Sequence, residues 1–257
     1  MVDYEFLRIH TEAHVATVTM MRPPVNAANQ AMYREIKAAF SAIEELAPDA
    51  RAVILTGAGK HFCGGNDLEE FRTLTPENAV DRMAEVRAAF WAVRDSALPV
   101  VAAVRGVAVG AGVALAASAD LVVAAEGARF GLPEVAVGVL GGAKHLSRLV
   151  PQGVVRRMHL TADLVPAAEL LPFGGLAALV PVDGLDEAAK ALASRIARHS
   201  QIALKLAKQS LNHIEYMDLK SGYEFEQGLT GRLSGYDDSK EALQAFLERR
   251  DPRYTGT

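Results

Sequence analysis

The chain reads as an α/β protein that finishes in helices, and three observations predict this. Short apolar runs of strand type alternate with helix-type segments up to about residue 140. Beyond that point the pattern is almost entirely helical. Two glycine-rich loops, at 60–68 and 105–114, each follow a strand-like run and lead into a helix-like segment, as βα units do.

The elements follow in order. Val15–Met20 reads as a strand, closed by a turn at Pro23-Pro24. Asn29 is suited to cap the next helix, in which Met32, Ile36, Phe40, Ile43 and Leu46 recur at three- and four-residue spacing. Residues 51–56 form the next strand, broken by Gly57-Ala58-Gly59. A helix over 76–96 carries Met83, Val86, Phe90 and Val93 on one face. Val100–Val104 is a short strand of the buried type. Residues 110–118 read as a buried helix and Leu121–Ala125 as a strand. Helices are expected over 185–199, 202–217 and 223–233. Asp238 and Glu241 have the spacing of a capping box for a last helix that stops before Pro252.

Composition narrows the function. The 257 residues, half of them hydrophobic, suffice for one sizeable core, as one domain or a domain with a subdomain. The longest apolar stretches, such as 107–117, are too short and too glycine-broken to span a membrane. The stretch Met1-Val2-Asp3-Tyr4-Glu5 lacks the basic-then-apolar order of a secretory signal. A net charge of −4 argues against nucleic acid as a main partner. The single cysteine, Cys63, excludes an intrachain disulfide and a cysteine-built zinc site, and suggests a reducing, cytoplasmic setting. Its place inside the first loop makes a nucleophilic role something to weigh.

The loops carry the chemistry. The first runs Lys60-His61-Phe62-Cys63-Gly64-Gly65-Asn66-Asp67-Leu68, and the second contains Val109-Gly110-Ala111-Gly112-Val113-Ala114. Small residues let a backbone approach a ligand closely, and two converging N–H groups can hold a carbonyl oxygen as charge builds on it. Competing motifs fail. The second loop lacks the third glycine of a dinucleotide fingerprint, Gly59-Lys60-His61 lacks the P-loop spacing, and neither a nucleophile elbow nor a metal-ligand spacing is present. A nucleotide-binding module over 106–112 therefore ranks far behind.

Together with Phe130-Gly131-Leu132-Pro133-Glu134, these loops resemble the crotonase (enoyl-CoA hydratase/isomerase) superfamily. Arg22-Pro23-Pro24-Val25-Asn26-Ala27 is similar to that family's first CoA loop, and 242–256 to its closing helix and tail, so the resemblance spans nearly the whole chain. It implies a spiral α/β core over 1–197, binding acyl-CoA, and a helical C-terminal trimerisation region over 198–257. It also implies a homotrimer or dimer of trimers, and no permanently bound cofactor, coenzyme A entering as part of the thioester substrate.

Carried over residue by residue, the resemblance places two oxyanion donors at the N–H groups of Asn66 and Ala111 and an acid/base at Glu134. It places CoA contacts at Ala27, Lys60, Phe62, Gly64, Asp67, Leu68 and Gly110. Arg22, Lys205 and Lys208 are further candidates for the polyanionic cofactor, or simply solvated surface cations. Family hydratases use two glutamates, and the first falls here at Ala114, which cannot move a proton. Lys144 and His145 stand where the family commonly has glycine. His145 is a candidate second acid/base or a structural residue, and Lys144 a candidate contact for an acidic acyl group or a partner subunit. The resemblance thus implies an acyl-CoA enzyme of hydratase/isomerase type with a single glutamate. The alternatives are a thioester or ring-opening hydrolase, or a non-catalytic acyl-CoA-binding member.

Overall fold

The computed structural model describes residues 3–257. Met1 and Val2, where the stretch read for a signal begins, lie outside them. The chain opens with an antiparallel pair, β1 (Leu7–Glu12) and β2 (Val15–Met20). Helix α1 (Gln30–Ser41) follows, its amide at Met32 donating to the Asn29 side chain at 2.8 Å, and α2 (Ile43–Leu46) adds one turn. Strand β3 (Ala52–Gly57), the turn α3 (Leu68–Phe71) and the long α4 (Pro76–Arg94) come next. Then follow β4 (Val100–Val104), β5 (Val107–Val109), α5 (Ala111–Ser118), β6 (Leu121–Ala125) and β7 (Arg129–Gly131). The rest is α6 (Ala143–Leu146), α7 (Gln152–Thr161), β8 (Leu164–Pro166), β9 (Ala178–Val180), α8 (Leu185–Ala197), α9 (Gln201–Ile214), α10 (Leu219–Leu233) and α11 (Asp237–Glu248).

Six strands form one sheet in the order β1-β2-β3-β4-β6-β9, parallel from β2 onward. A second, smaller sheet has the order β5-β7-β8. Side chains alternate across the large sheet, as the two-residue strand period requires. Val53, Leu55, Val100, Ala102, Val104, Val122 and Ala124 join the main core with α1, α4 and α5. Ala52, Ile54, Val101, Ala103, Val123 and Ala125 face the other way and are covered by Leu185, Ala189, Ala193 and Ala197 of α8. Both faces are therefore buried, which explains the unbroken apolar runs of β3 and β4.

Several sequence expectations need correction. Strand β1 was not foreseen, and the region beyond residue 140 is not purely helical, because β8 and β9 lie in it. Both are three residues long, too short to show a period. Helix α10 starts at Leu219, where Asp218 accepts from the amides of Lys220 and Ser221. The Asp238–Glu241 capping box is absent. Asp238 lies inside α11 and instead accepts from the Ser200 hydroxyl at 2.6 Å and the Thr255 amide at 2.8 Å. Glu241 pairs with Arg250 and accepts from the Arg253 amide.

Lys208 is also reassigned. It is 4 % exposed and donates to Asp120 at 2.8 Å and to the carbonyls of Val93 and Leu98, so its charge is spent inside the protein, tying α9 to the sheet. Removing one partner of a buried ion pair leaves the other uncompensated. Lys208→Ala is expected to lose on the order of 3 kcal/mol in urea unfolding, whereas Lys205→Ala, whose ion pair with Glu44 is half-exposed, should lose less than about 1 kcal/mol.

Candidate active site

The two glycine loops meet. After β3 the chain turns back through Cys63, which pairs with β5: its amide donates to the Val107 carbonyl at 3.1 Å and its carbonyl accepts from the Val109 amide at 3.0 Å. This pairing brings Gly65 against Gly110. Both lie in the left-handed region, at φ of 99° and 56°, where glycine alone is unstrained. A Cβ on Gly65 would stand 3.0 Å from the Val109 carbonyl oxygen and 4.0 Å from the Ala111 nitrogen. Gly112 has no room either, since a Cβ there would overlap the Cys63 carbonyl.

The turns present two main-chain donors in one small region. The amides of Gly64, Asp67 and Gly110 are bonded to the carbonyls of Val25, Ala28 and Gly131 at 2.8–2.9 Å. Among the described residues, the amides of Asn66 and Ala111 have no acceptor. Ala111 is also the first residue of α5, so its N–H lies at the positive end of that helix. Buried Asn26 braces the arrangement. Its Oδ1 accepts from the Arg22 amide, and its Nδ2 donates to the carbonyls of Ala58 and His61 at 3.0 and 2.8 Å.

Glu134 stands next to this region, on a 3₁₀ turn at Pro133–Val137 that follows β7. The buried side chains of Phe130 and Leu132 anchor it. A Cβ on Gly110 would be 3.1 Å from Glu134 Oε1 and would crowd the carboxyl, whereas one on Gly142, 3.4 Å from the same oxygen, would be stopped by Leu132 Cδ2 at 2.6 Å. Glu134 is 7 % exposed, and its Oε2 is buried without a partner among the described residues. Burial pushes its pKa up to about 7. A carboxyl poised there can take or give a proton at neutral pH. Ala114, one turn into α5, is buried and offers no second proton-transfer group.

The other candidates are placed as follows. Lys60 and Leu68 are exposed, and Ala27 and Gly64 are half-buried. Asp67 caps α3 through its bonds to the Glu69 and Glu70 amides and pairs with Arg22, which also donates to the Ala27 carbonyl. Phe62 is fully buried in the main core, so its ring cannot touch a ligand and only its backbone borders the loop. Cys63 is equally buried, and its thiol is pushed up to about 11, which removes it as a nucleophile. His145 packs between Phe90 and Trp91, with ring centroids 5.1 and 5.7 Å away, and burial pushes it down to about 4. Lys144 lies 4.3 Å over the Tyr216 ring. Trp91, Lys144, His145 and Tyr216, with Arg94 and Arg148, line a recess of about 290 Å³. Sequence reasoning missed Tyr33, whose buried hydroxyl donates to Asn66 Oδ1 at 2.7 Å.

The family model for enoyl-CoA hydratase/isomerase matches residues 10–257. The chain belongs to the enoyl-CoA hydratase/isomerase family. Relatives extend the match. A (7aS)-7a-methyl-1,5-dioxo-2,3,5,6,7,7a-hexahydro-1H-indene-carboxyl-CoA hydrolase from Rhodococcus jostii is 40 % identical over 240 residues, covering 93 % of each chain. A 2,3-dehydroadipyl-CoA hydratase from Escherichia coli is 33 % identical over 257 residues, covering 97 % of this chain and 98 % of its own. The crystal structure of an enoyl-CoA hydratase from Bacillus anthracis superposes with a TM-score of 0.92 at 32 % identity, covering 98 % of this chain and all of that one. The α/β core with C-terminal helices is thus the fold of this family.

Two outcomes test the site's construction. Gly112→Ala forces the loops apart and is expected to cost about 1–3 kcal/mol in denaturant unfolding. Glu134→Gln should stabilise the protein at pH 8 and leave it unchanged near pH 4. The carboxyl holds its proton more tightly folded than unfolded, so its contribution is complete below pH 4.5 and is lost as the pH rises to about 7. That difference amounts to at most about 3 kcal/mol at pH 8. Thermal melts that coincide at pH 8 would show the carboxyl to be solvated.

Proposed function

We propose that this enzyme processes an acyl-CoA thioester by holding the thioester oxygen between the Asn66 and Ala111 amides while Glu134 moves the proton. The adjacency of those two unpaired donors to one buried carboxyl carries this reading. An enolate formed beside the thioester places its charge on the oxygen, where fixed dipoles stabilise it without reorganising. With Ala114 in place of a second carboxylate, Glu134 does the acid/base work alone. It takes a proton from one carbon and returns it to another, which is isomerisation, or it activates a water for addition across a double bond.

The hydrolase relatives favour a second use of the same parts. Glu134 takes a proton from water, whose oxygen attacks a ring ketone two carbons from the thioester. The bond from that ketone carbon to the thioester α-carbon breaks. Its electron pair passes into the thioester enolate held at Asn66 and Ala111. Glu134 then returns the proton to the α-carbon, leaving a carboxylic acid. The two readings separate by product: a shifted or hydrated double bond against an opened ring.

In this reading CoA follows the loop edge formed by Ala27, Lys60, Gly64, Asp67, Leu68 and Gly110, with Phe62 contributing backbone only. His145, neutral and wedged between aromatic rings, forms a wall and takes no part in proton transfer. Leu219, Tyr223, Phe246 and Leu247 are exposed on α10 and α11, which fits a homotrimer or dimer of trimers. No helix among the described residues is long and apolar enough to cross a membrane, and a cytoplasmic setting fits the lone buried thiol.

Glu134→Gln is expected to lower kcat/KM by about 10²–10⁴-fold and to abolish a rise in activity with pH centred near 7. Unchanged turnover would remove Glu134 from the mechanism. Ala111→Pro takes away one donor at a helix position that tolerates proline. It should cost about 10²–10³-fold in kcat with the circular dichroism spectrum preserved. Light scattering at the monomer mass would refute the assembly.

A further inference from the structure

We infer that the Asn66 side chain selects acyl groups that carry an oxygen acceptor close to the thioester, through an Nδ2 donor that Tyr33 holds in place. This deepens the proposed acyl-CoA reading and rests on it. The Tyr33 hydroxyl lies in a residue that is 1 % exposed, and its bond to Asn66 Oδ1 is 2.7 Å long. The ring is fixed by the edge of Phe90, with centroids 5.9 Å apart. Burial raises the phenol well above its ordinary range, so it remains a donor at every working pH. An amide that accepts through its oxygen must turn its nitrogen elsewhere.

That nitrogen has no acceptor among the described residues, and it is not among the buried polar atoms that lack a partner. Asn66 is only half-buried, so its Nδ2 faces open space, unlike the hydroxyl that orients it. The same residue supplies a main-chain amide assigned to the thioester oxygen. A side chain this short reaches only atoms a few bonds from that oxygen. An oxo group on the third acyl carbon fits this reach, and a plain methylene there leaves the donor unpaired. A site built to hydrogen-bond an oxygen discriminates strongly against the analogue without one.

Acetoacetyl-CoA and butyryl-CoA have the same chain length and differ at that carbon, which makes them a matched pair for titration calorimetry. The wild type is expected to bind acetoacetyl-CoA at least about 10-fold more tightly. Asn66→Ala should reduce that ratio about 10-fold, and Tyr33→Phe, which keeps the ring and its packing, should reduce it about 3- to 10-fold. A ratio equal in wild type and in both variants would overturn the inference, because enolate binding to the main-chain amides alone would then explain the preference. Tight binding of both thioesters without preference would also overturn it, yet leave the acyl-CoA site standing. Failure of the wild type to bind either thioester would sink both.

Discussion

Gly65 and Gly110 lie side by side, and a methyl group on Gly65 would press on the Val109 carbonyl and push apart two turns that follow the adjacent parallel strands β3 and β4. Everything at the site depends on that approach. The pairing of Cys63 with β5 sets it, the missing side chain of Gly112 permits it, and Asn26 holds the first turn in shape from behind. The result is two main-chain donors from separate βα units, positioned by parallel strands whose faces are both buried. Donors fixed in this way need no rearrangement when charge develops nearby, which is where preorganised sites gain their rate.

The carboxyl beside them is held against its own solvation. Leu132, Gly110 and Gly142 enclose Glu134, and none of them offers it a side-chain donor. Such a group weakens the fold at high pH and is tolerated because a large core surrounds it. The absence of a second carboxylate has a counterpart in packing: α5 is buried on every side, and a charge at position 114 would need its own partners there. In the proposed reading this carboxyl, its pKa raised to about 7 by burial, picks up and puts down one proton by itself.

Much of the fold could be read locally. Asn29 announced its helix, the apolar run of β4 announced a strand of the buried type, and the glycine loops announced the meeting of two turns. The features that escaped are contacts between distant residues. Lys208 meets Asp120 across 88 positions and Asp238 meets Ser200 across 38, so neither local spacing nor charge could expose them. Tyr33 looked like one more core aromatic, because the amide it orients lies 33 residues away. Strands β8 and β9 are set by the ladders they join, not by any pattern of their own.

The buried thiol of Cys63 has a practical consequence. Disulfide reagents that report liberated coenzyme A react with thiolates, and a sole cysteine pushed up to about 11 inside the core supplies almost none. The folded enzyme therefore adds almost no colour of its own, and a signal from such a reagent would mark cleavage of the thioester, which neither the double-bond chemistry nor the ring opening proposed above produces.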